Sequence, residues 1–259
     1  MPYTMLMAGG ELAAHLQDPH WVIFDCRHDP GRPGAGEAAY CEAHIPGARF
    51  LHLDRDLAAP PDGHNGRHPL PERDAFAAKL RASGLNQTSQ VVAYDNAGGM
   101  YAARLWWMLR WLGHMNVAVL DGGWKQWLAD KRSISTEVPA PAYGDFTPGL
   151  NGPCAESVDA SFVLDHLGDL ARGEMHLVDA RAEDRYRGEN ETMDPVSGHI
   201  PGALNRAFSH NLGPDGRFKP ADELNREFLS LLGPVEPRQV VHQCGSGVTA
   251  CHNLLAMEI

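Results

Sequence analysis

Cys244 is the residue of this chain that is best placed to act as a nucleophile. It follows the apolar pair Val240 and Val241, which predicts the end of a buried strand, and residues 251–257 read as a helix. Between the two lies the loop Cys-Gly-Ser-Gly-Val-Thr. Backbone N–H groups and the positive end of the helix dipole converge at such a junction, which stabilises a thiolate. The spacing therefore predicts nucleophilic chemistry at the Cys244 sulfur.

The same loop predicts a binding site for an anion. Glycines allow the backbone to turn so that successive N–H groups point at one spot. An acidic chain, with a formal net charge of −11, can in this way bind an anion without a basic surface. The residues that we expect to form this cradle are Gly245, Ser246, Gly247, Val248 and Thr249.

Composition excludes several classes of protein. The chain has 259 residues, of which 43% are hydrophobic and 21% charged, as in a globular protein. The negative charge argues against nucleic-acid binding, and no apolar run approaches the roughly 20 residues of a membrane span. The first ten residues lack the basic region of a signal peptide, and the five cysteines show no C-x-x-C pair. A reduced, cytoplasmic location is expected.

Three motifs occur twice in the chain, in the same order. Asp-x-Arg stands at 25–27 and 179–181, and His-Ile-Pro-Gly-Ala stands at 44–48 and 199–203. The third motif is a strand that begins with Gln-Val-Val and leads to Asp95 in the first copy and to Cys244 in the second. The offsets between the copies are 154, 155 and 149 residues. Three matches at nearly one offset indicate a duplication.

Short apolar strands alternate with helical patterns in each copy, which predicts the α/β class: a mainly parallel sheet with helices on both faces. Helices are expected at 71–84 and 101–112, and a strand at 117–120. We assign residues 1–137 to the first domain, 138–153 to a Pro- and Gly-rich linker and 154–259 to the second domain. By the offset of 149, Ile259 corresponds to Arg110, so the second domain is expected to be truncated at its C-terminus.

These motifs together resemble the tandem rhodanese-domain sulfurtransferases. The resemblance rests on the double motifs, on Leu-Asp-Gly-Gly-Trp at 120–124 and on the Cys244 loop, and it covers nearly the whole chain. It implies that the second domain is catalytic and that the first, with Asp95 in place of the cysteine, is inactive. Cys244 would accept sulfur as a persulfide and pass it to a thiol, such as thioredoxin or a small thiol, or to cyanide. No metal or organic cofactor is implied.

The residue after Cys244 bears on the sulfur donor. Thiosulfate-preferring relatives typically carry Arg and Lys there, whereas Gly245 and Ser246 resemble the 3-mercaptopyruvate type. In that type Ser246 would act with His68 and Asp54, which belong to the first domain, so the resemblance implies a catalytic site at the domain interface.

An arginine is implied as the ligand of the donor carboxylate. Arg185 matches the first of two such arginines of the family, and a planar guanidinium suits a carboxylate. The second has no match, because residues 189–195 contain no basic residue and are acidic. Arg187 is an alternative ligand, although a solvated surface charge is the better interpretation. The resemblance therefore favours 3-mercaptopyruvate over thiosulfate as the donor, whereas the missing second arginine argues against a strict preference.

Three other functions compete with sulfur transfer as interpretations of the sequence. A cysteine phosphatase needs an arginine six positions after the cysteine, where this chain has Ala250. A degenerate rhodanese module that only binds partners describes the first domain better than the second. A metal site at His64 and His68 has suitable spacing only on a helix, and Gly63 and Gly66 predict a loop there.

Overall fold

The computed structural model describes residues 2–63, 65–149 and 155–259. The chain divides into two compact units, Met1–Ala155 and Glu156–Ile259, and each is described by itself. Across the described residues, none of the helices has both the length and the apolar character needed to span a bilayer.

The first unit alternates strands and helices from end to end. In chain order its elements are β1 (Leu6–Met7), α1 (Gly9–Ala14), β2 (Trp21–Asp25), α2 (Ala35–Glu42), β3 (Arg49–Phe50), α3 (Leu53–Asp56), α4 (Arg73–Ala82), β4 (Gln90–Tyr94), α5 (Met100–Trp111), β5 (Val117–Leu120) and α6 (Gly123–Ala129). The two predicted helices and the predicted strand correspond to α4, α5 and β5.

The strands form one parallel sheet in the order β1-β5-β4-β2-β3. All five residues of the central strand β4 are buried, as expected of a strand covered on both faces. On one face Ile23, Val92 and Ala118 pack with Trp124 and Trp127 of α6. The predicted α/β class with a parallel sheet is confirmed.

The Asp-Gly-Gly-Trp turn before α6 packs against the end of β4. The Trp124 N–H donates to the Asp95 carbonyl at 2.8 Å. A Cβ atom on Gly123, whose φ is +54°, would lie 2.4 Å from the same oxygen, so this contact requires glycine. The motif therefore joins the end of β4 to α6, the helix that follows the next strand, β5.

The described part of the predicted linker packs on the first unit. The Gly144 N–H donates to the Arg81 carbonyl at 2.8 Å, and Phe146 is fully buried, edge-on to His114 at 5.4 Å between ring centroids. Residues 150–153 of the predicted linker lie outside the described residues. Proline and glycine do prevent regular structure between residues 138 and 149, but the segment is anchored because its aromatic side chain enters a core.

The second unit repeats part of this plan. Its elements are α7 (Ala160–Asp165), α8 (Leu167–Arg172), β6 (His176–Asp179), α9 (Glu183–Arg187), β7 (Leu204–Asn205), a 3₁₀ turn (Phe208–Asn211), α10 (Ala221–Leu232), a 3₁₀ turn (Pro237–Gln239), β8 (Val240–Gln243) and α11 (Thr249–Glu258). The parallel order β7-β6-β8 matches β3-β2-β4 of the first unit.

Each Asp-x-Arg motif is a buried ion pair that reaches the second repeated motif. Arg27 donates to both oxygens of Asp25 and, at 2.7 Å, to the carbonyl of Ala43, directly before the first His-Ile-Pro-Gly. Arg181 likewise bonds Asp179 and the carbonyl of Gly198, at 2.6 Å, before the second. The two motifs recur together because one guanidinium connects them.

We expect Arg27→Leu to lower the free energy of unfolding by about 3–5 kcal/mol, because the substitution leaves the buried Asp25 carboxylate without its counter-ion. Arg27 also stacks on Trp124, at 4.5 Å from the ring centroid. Urea unfolding followed by circular dichroism measures the change.

The matched control is Arg32→Leu, which removes an arginine whose side chain is 79% exposed and paired with Asp29. Its expected cost is about 1 kcal/mol or less. Equal destabilisation by the two substitutions would contradict the structural role of the Arg27 pair.

Candidate functional site

Cys244 lies at the end of β8, in the loop that leads to α11, and is partly exposed. The Ser246 N–H points at its sulfur, with 3.5 Å between nitrogen and Sγ. Gly247 has φ +70°, in the left-handed region that favours glycine. Gly245 does not have a positive φ, so only one of the two glycines is needed for the backbone conformation.

Helix α11 begins at Thr249, two residues earlier than predicted, and no side chain caps its start. The first-turn N–H groups of a helix lack partners within the helix and attract anions. Cys251 is buried in α11 and its thiol donates to the Gly247 carbonyl at 3.2 Å. Cys251 therefore closes the loop onto the helix, whereas Cys244 remains accessible.

The corresponding loop of the first unit contains its own anion. Asp95 follows β4 as Cys244 follows β8, and α5 begins five residues after Asp95, as α11 does after Cys244. The Asp95 carboxylate accepts four backbone hydrogen bonds, which come from the N–H groups of Ala97 (2.8 Å), Gly99 (2.9 Å), Tyr101 (2.8 Å) and Ala102 (3.0 Å). In the described part of the chain, this buried carboxyl group is thus held by backbone N–H groups.

Two opposing effects act on the pKa of the Asp95 carboxyl. Burial raises the pKa of the Asp95 carboxyl, and the four N–H groups oppose that shift. At the offset of 149 residues, these groups correspond to the N–H groups of Ser246, Val248, Ala250 and Cys251. The Ser246 N–H already points at Cys244, as the Ala97 N–H points at Asp95.

Two buried asparagines, which the sequence analysis did not single out, position α11. Asn211 donates to the Asn253 side chain at 2.7 Å, and Asn253 donates to the Arg206 carbonyl at 2.9 Å. Both asparagines are fully buried, where an unpaired amide would be costly. Asn253, an amide within the largely apolar α11, is the sequence signal that could have revealed this role.

Arg185, the predicted carboxylate ligand, is paired with carboxylates of its own chain. Its Nε and Nη2 atoms donate to Glu191 at 3.1 and 2.9 Å, and Nη2 also donates to Asp194 at 2.7 Å. Arg187 is half exposed and pairs with Glu183 and Glu189, which agrees with its interpretation as a solvated charge.

His68 and Asp54 meet within the first unit. The His68 Nε2–H donates to the Asp54 carboxylate at 3.0 Å. Among the described residues, the His68 Nδ1 atom is buried without a hydrogen-bond partner. Burial lowers the pKa of His68, and the Asp54 hydrogen bond opposes that shift. The structure thus brings together these two residues in one unit, and Cys244 with its loop in the other.

One group of described residues has the spacing of a metal site: His28, His52 and Asp54, whose ligand atoms all lie within 4.8 Å of one another. The His52 ring is engaged on both sides, since Nδ1 accepts from the Asp54 N–H and Nε2 donates to the Pro33 carbonyl. His52 would have to give up a backbone hydrogen bond to bind a metal. His64, of the metal pair considered from the sequence, lies outside the described residues.

Comparison with known proteins agrees with the duplicated architecture. Residues 9–130 match the family model of the rhodanese-like domain. The chain is similar to a "Probable 3-mercaptopyruvate sulfurtransferase" of Pseudomonas aeruginosa, at 44% identity over 100% of this chain and 90% of the relative. It is 35% identical to the thiosulfate sulfurtransferase of Bos taurus, over 86% of this chain and 75% of the relative.

The fold is similar to that of a solved member. The crystal structure of SseA from Escherichia coli, a 3-mercaptopyruvate sulfotransferase, superposes with a TM-score of 0.83 at 32% identity and covers 99% of this chain and 94% of SseA. The chain therefore belongs to the rhodanese-like sulfurtransferases.

Proposed function

We propose that this sulfurtransferase takes sulfur from 3-mercaptopyruvate onto Cys244 and passes it to a thiol or to cyanide. The observation that carries the proposal is the correspondence between Asp95 and Cys244. In the first unit, four backbone N–H groups hold a carboxylate whose oxygens lie two bonds beyond Cβ. The outer sulfur of a cysteine persulfide also lies two bonds beyond Cβ. The Cys244 loop is therefore suited to a persulfide anion.

The transfer begins with a thiolate at Cys244. The thiolate attacks the sulfur of 3-mercaptopyruvate, and a sulfur–sulfur bond forms while the carbon–sulfur bond breaks. The released electron pair passes to the pyruvate enolate, which takes up a proton and leaves as pyruvate. The N–H groups of the loop, of which that of Ser246 already points at Cys244, offset the negative charge on the outer sulfur. An acceptor thiolate then attacks the outer sulfur and regenerates Cys244.

The transferred sulfur is carried by the cysteine itself, so we propose no resident metal or organic cofactor. Thioredoxin or a small thiol is the proposed acceptor, because persulfide transfer to a thiolate is a thiol–disulfide type of exchange. The four cysteines of the described residues are free thiols, which agrees with a reducing compartment, and we propose the cytoplasm.

Ser246, His68 and Asp54 are proposed to assist proton transfer to the pyruvate enolate. The proposal rests on the resemblance to the 3-mercaptopyruvate type and on the His68–Asp54 hydrogen bond. Burial lowers the pKa of His68, so the resting imidazole is uncharged at neutral pH, and a proton that it takes up during the reaction is readily passed on.

A thiosulfate-preferring enzyme is the second candidate. One relative is named a thiosulfate sulfurtransferase, and Arg185 is already paired with Glu191 and Asp194. The loop, in contrast, has Gly245 and Ser246 rather than basic residues after the cysteine, which favours the singly charged donor. A side-by-side kcat/KM with thiosulfate and 3-mercaptopyruvate separates the two candidates.

The first test of the proposed function is Cys244→Ser, which we expect to abolish sulfur transfer because a hydroxyl cannot form a persulfide. Incubation with donor followed by cyanolysis should find one labile sulfur per chain in the native protein and none in the variant. The control is Cys251→Ser, which keeps a donor for the Gly247 carbonyl and should retain most of the activity. Sulfur loading in Cys244→Ser would disprove the mechanism.

The second test is His68→Ala, for which we expect kcat with 3-mercaptopyruvate to fall by about 10²-fold or more, the usual size of a general acid–base contribution. Thiosulfate leaves as sulfite, which needs no proton on carbon, so its kcat should change much less. Equal losses with the two donors would indicate that His68 has a structural role only.

The third test is Arg185→Ala. Loss of a charge-assisted hydrogen bond typically costs about 1.5–3 kcal/mol, so the KM for 3-mercaptopyruvate should rise by at least about tenfold. Arg187→Ala is the control, because Arg187 is exposed and paired locally. An unchanged KM in Arg185→Ala would remove this residue from the donor site.

A further inference from the structure

Glu191 binds Arg185 in the way that a donor carboxylate would. Arg185 offers the Nε and Nη2 edge of its guanidinium to both oxygens of Glu191, with distances of 2.9–3.3 Å. This fork geometry is the one in which arginine recognises carboxylates. The edge best suited to a keto acid is thus occupied by a side chain of the same unit.

The Glu191 carboxylate is held firmly in this place. It is only 3% exposed, and it also accepts the backbone N–H groups of Met193 at 2.8 Å and Asp194 at 2.9 Å. Burial raises the pKa of Glu191, but the hydrogen bonds from Arg185 and from the two N–H groups outweigh it, and the pKa falls to about 2. Glu191 is therefore charged at neutral pH.

Charges around Arg185 do not favour an incoming anion. Arg181, which reaches Glu191 at 3.4 Å, is itself paired with Asp179. Asp194 adds a third carboxylate, on Nη2 of Arg185. Two arginines thus face three carboxylates, and a donor can gain the full attraction of Arg185 only when Glu191 releases it.

Arg185 nevertheless follows the carboxyl end of a strand that pairs with the strand before Cys244. It belongs to α9, which follows β6, and β6 is the parallel neighbour of β8, which leads to Cys244. Ala180 and Gln243, at the ends of these strands, share a backbone hydrogen bond of 2.8 Å. Ligands in parallel α/β sheets bind beyond such strand ends.

We propose that Glu191 is a specificity-determining residue, an internal carboxylate that competes with the donor carboxylate for Arg185. The inference rests on the proposed function for the identity of the donor. Glu191 weakens the binding of keto-acid donors and leaves thiosulfate, which the backbone cradle can hold, comparatively unaffected. The preference of the enzyme between the two donors is then set by how readily Glu191 yields the guanidinium.

The test is Glu191→Gln in the full chain, with pyruvate as a sulfur-free probe. A glutamine oxygen can still accept the two backbone N–H groups, but it is a weaker ligand for a guanidinium. We expect pyruvate, by isothermal titration calorimetry, to bind about threefold to tenfold more tightly, and the KM for 3-mercaptopyruvate to fall similarly while that for thiosulfate stays constant.

Glu189→Gln is the matched control. It makes the same change of net charge in the same segment, but Glu189 is exposed and paired with Arg187, so pyruvate affinity should not change. In an Arg185→Ala background, Glu191→Gln should have no effect on pyruvate. Asp194→Asn, which removes the other carboxylate from Arg185, should also tighten pyruvate binding and serves if Glu191→Gln is poorly folded.

Unchanged or weaker pyruvate binding in a folded Glu191→Gln, or an equal gain in Glu189→Gln, would overturn the competition. The calorimetric measurement needs no turnover, so it distinguishes this inference from the proposed function. Loss of the Cys244 persulfide would refute sulfur transfer, whereas pyruvate affinity tests Glu191 alone.

Discussion

Backbone N–H groups that converge at the end of a parallel strand require an acceptor, and both units of this protein are arranged around that requirement. In the first unit the acceptor is built in, since the Asp95 carboxylate takes four N–H groups. In the second unit the same position holds Cys244, with one N–H already directed at its sulfur. The first cradle is filled by its own buried carboxyl group, whereas the second ends in a partly exposed thiol.

The frame that holds these loops is also duplicated. Arg27 and Arg181 each join a strand-end aspartate to the carbonyl that precedes His-Ile-Pro-Gly, so the strand and the following turn are fixed in one arrangement. Buried ion pairs are costly to break once one partner is removed. Such a pair tolerates little variation, which explains why both residues recur in the two copies.

The electrostatic potential at the site is set by nearby groups and not by the net charge of the protein. The chain carries a formal net charge of −11, yet its chemistry requires an anionic donor. Oriented backbone groups supply positive potential at Cys244. Arg185, by contrast, is balanced by Glu191 and Asp194, so its availability depends on a movement of side chains within the same segment.

The sequence by itself predicted the duplication and the parallel α/β class, and it singled out Cys244 as the proposed nucleophile. The repeats, the strand pattern before Cys244 and the glycine at 247 are local signals, and each reflects a backbone requirement that nearby residues must meet. The observed helix boundaries differ slightly from the predicted ones where helix propensity is weak. Helix α11, for example, begins at Thr249 and not at Cys251. The anchoring of residues 141–149 was missed, because Pro and Gly mark irregular backbone but not what it packs against.

Only the tertiary structure decided which groups are neighbours. The residues around Arg185 appeared in the sequence as an acidic stretch without the second family arginine, and the fold turns Glu191 back onto the guanidinium. Asn211 and Asn253 lie 42 residues apart in the chain and meet in the core. Such contacts depend on the path of the chain between the residues, which no local pattern encodes, whereas the cradles at Asp95 and Cys244 each form within a few consecutive residues.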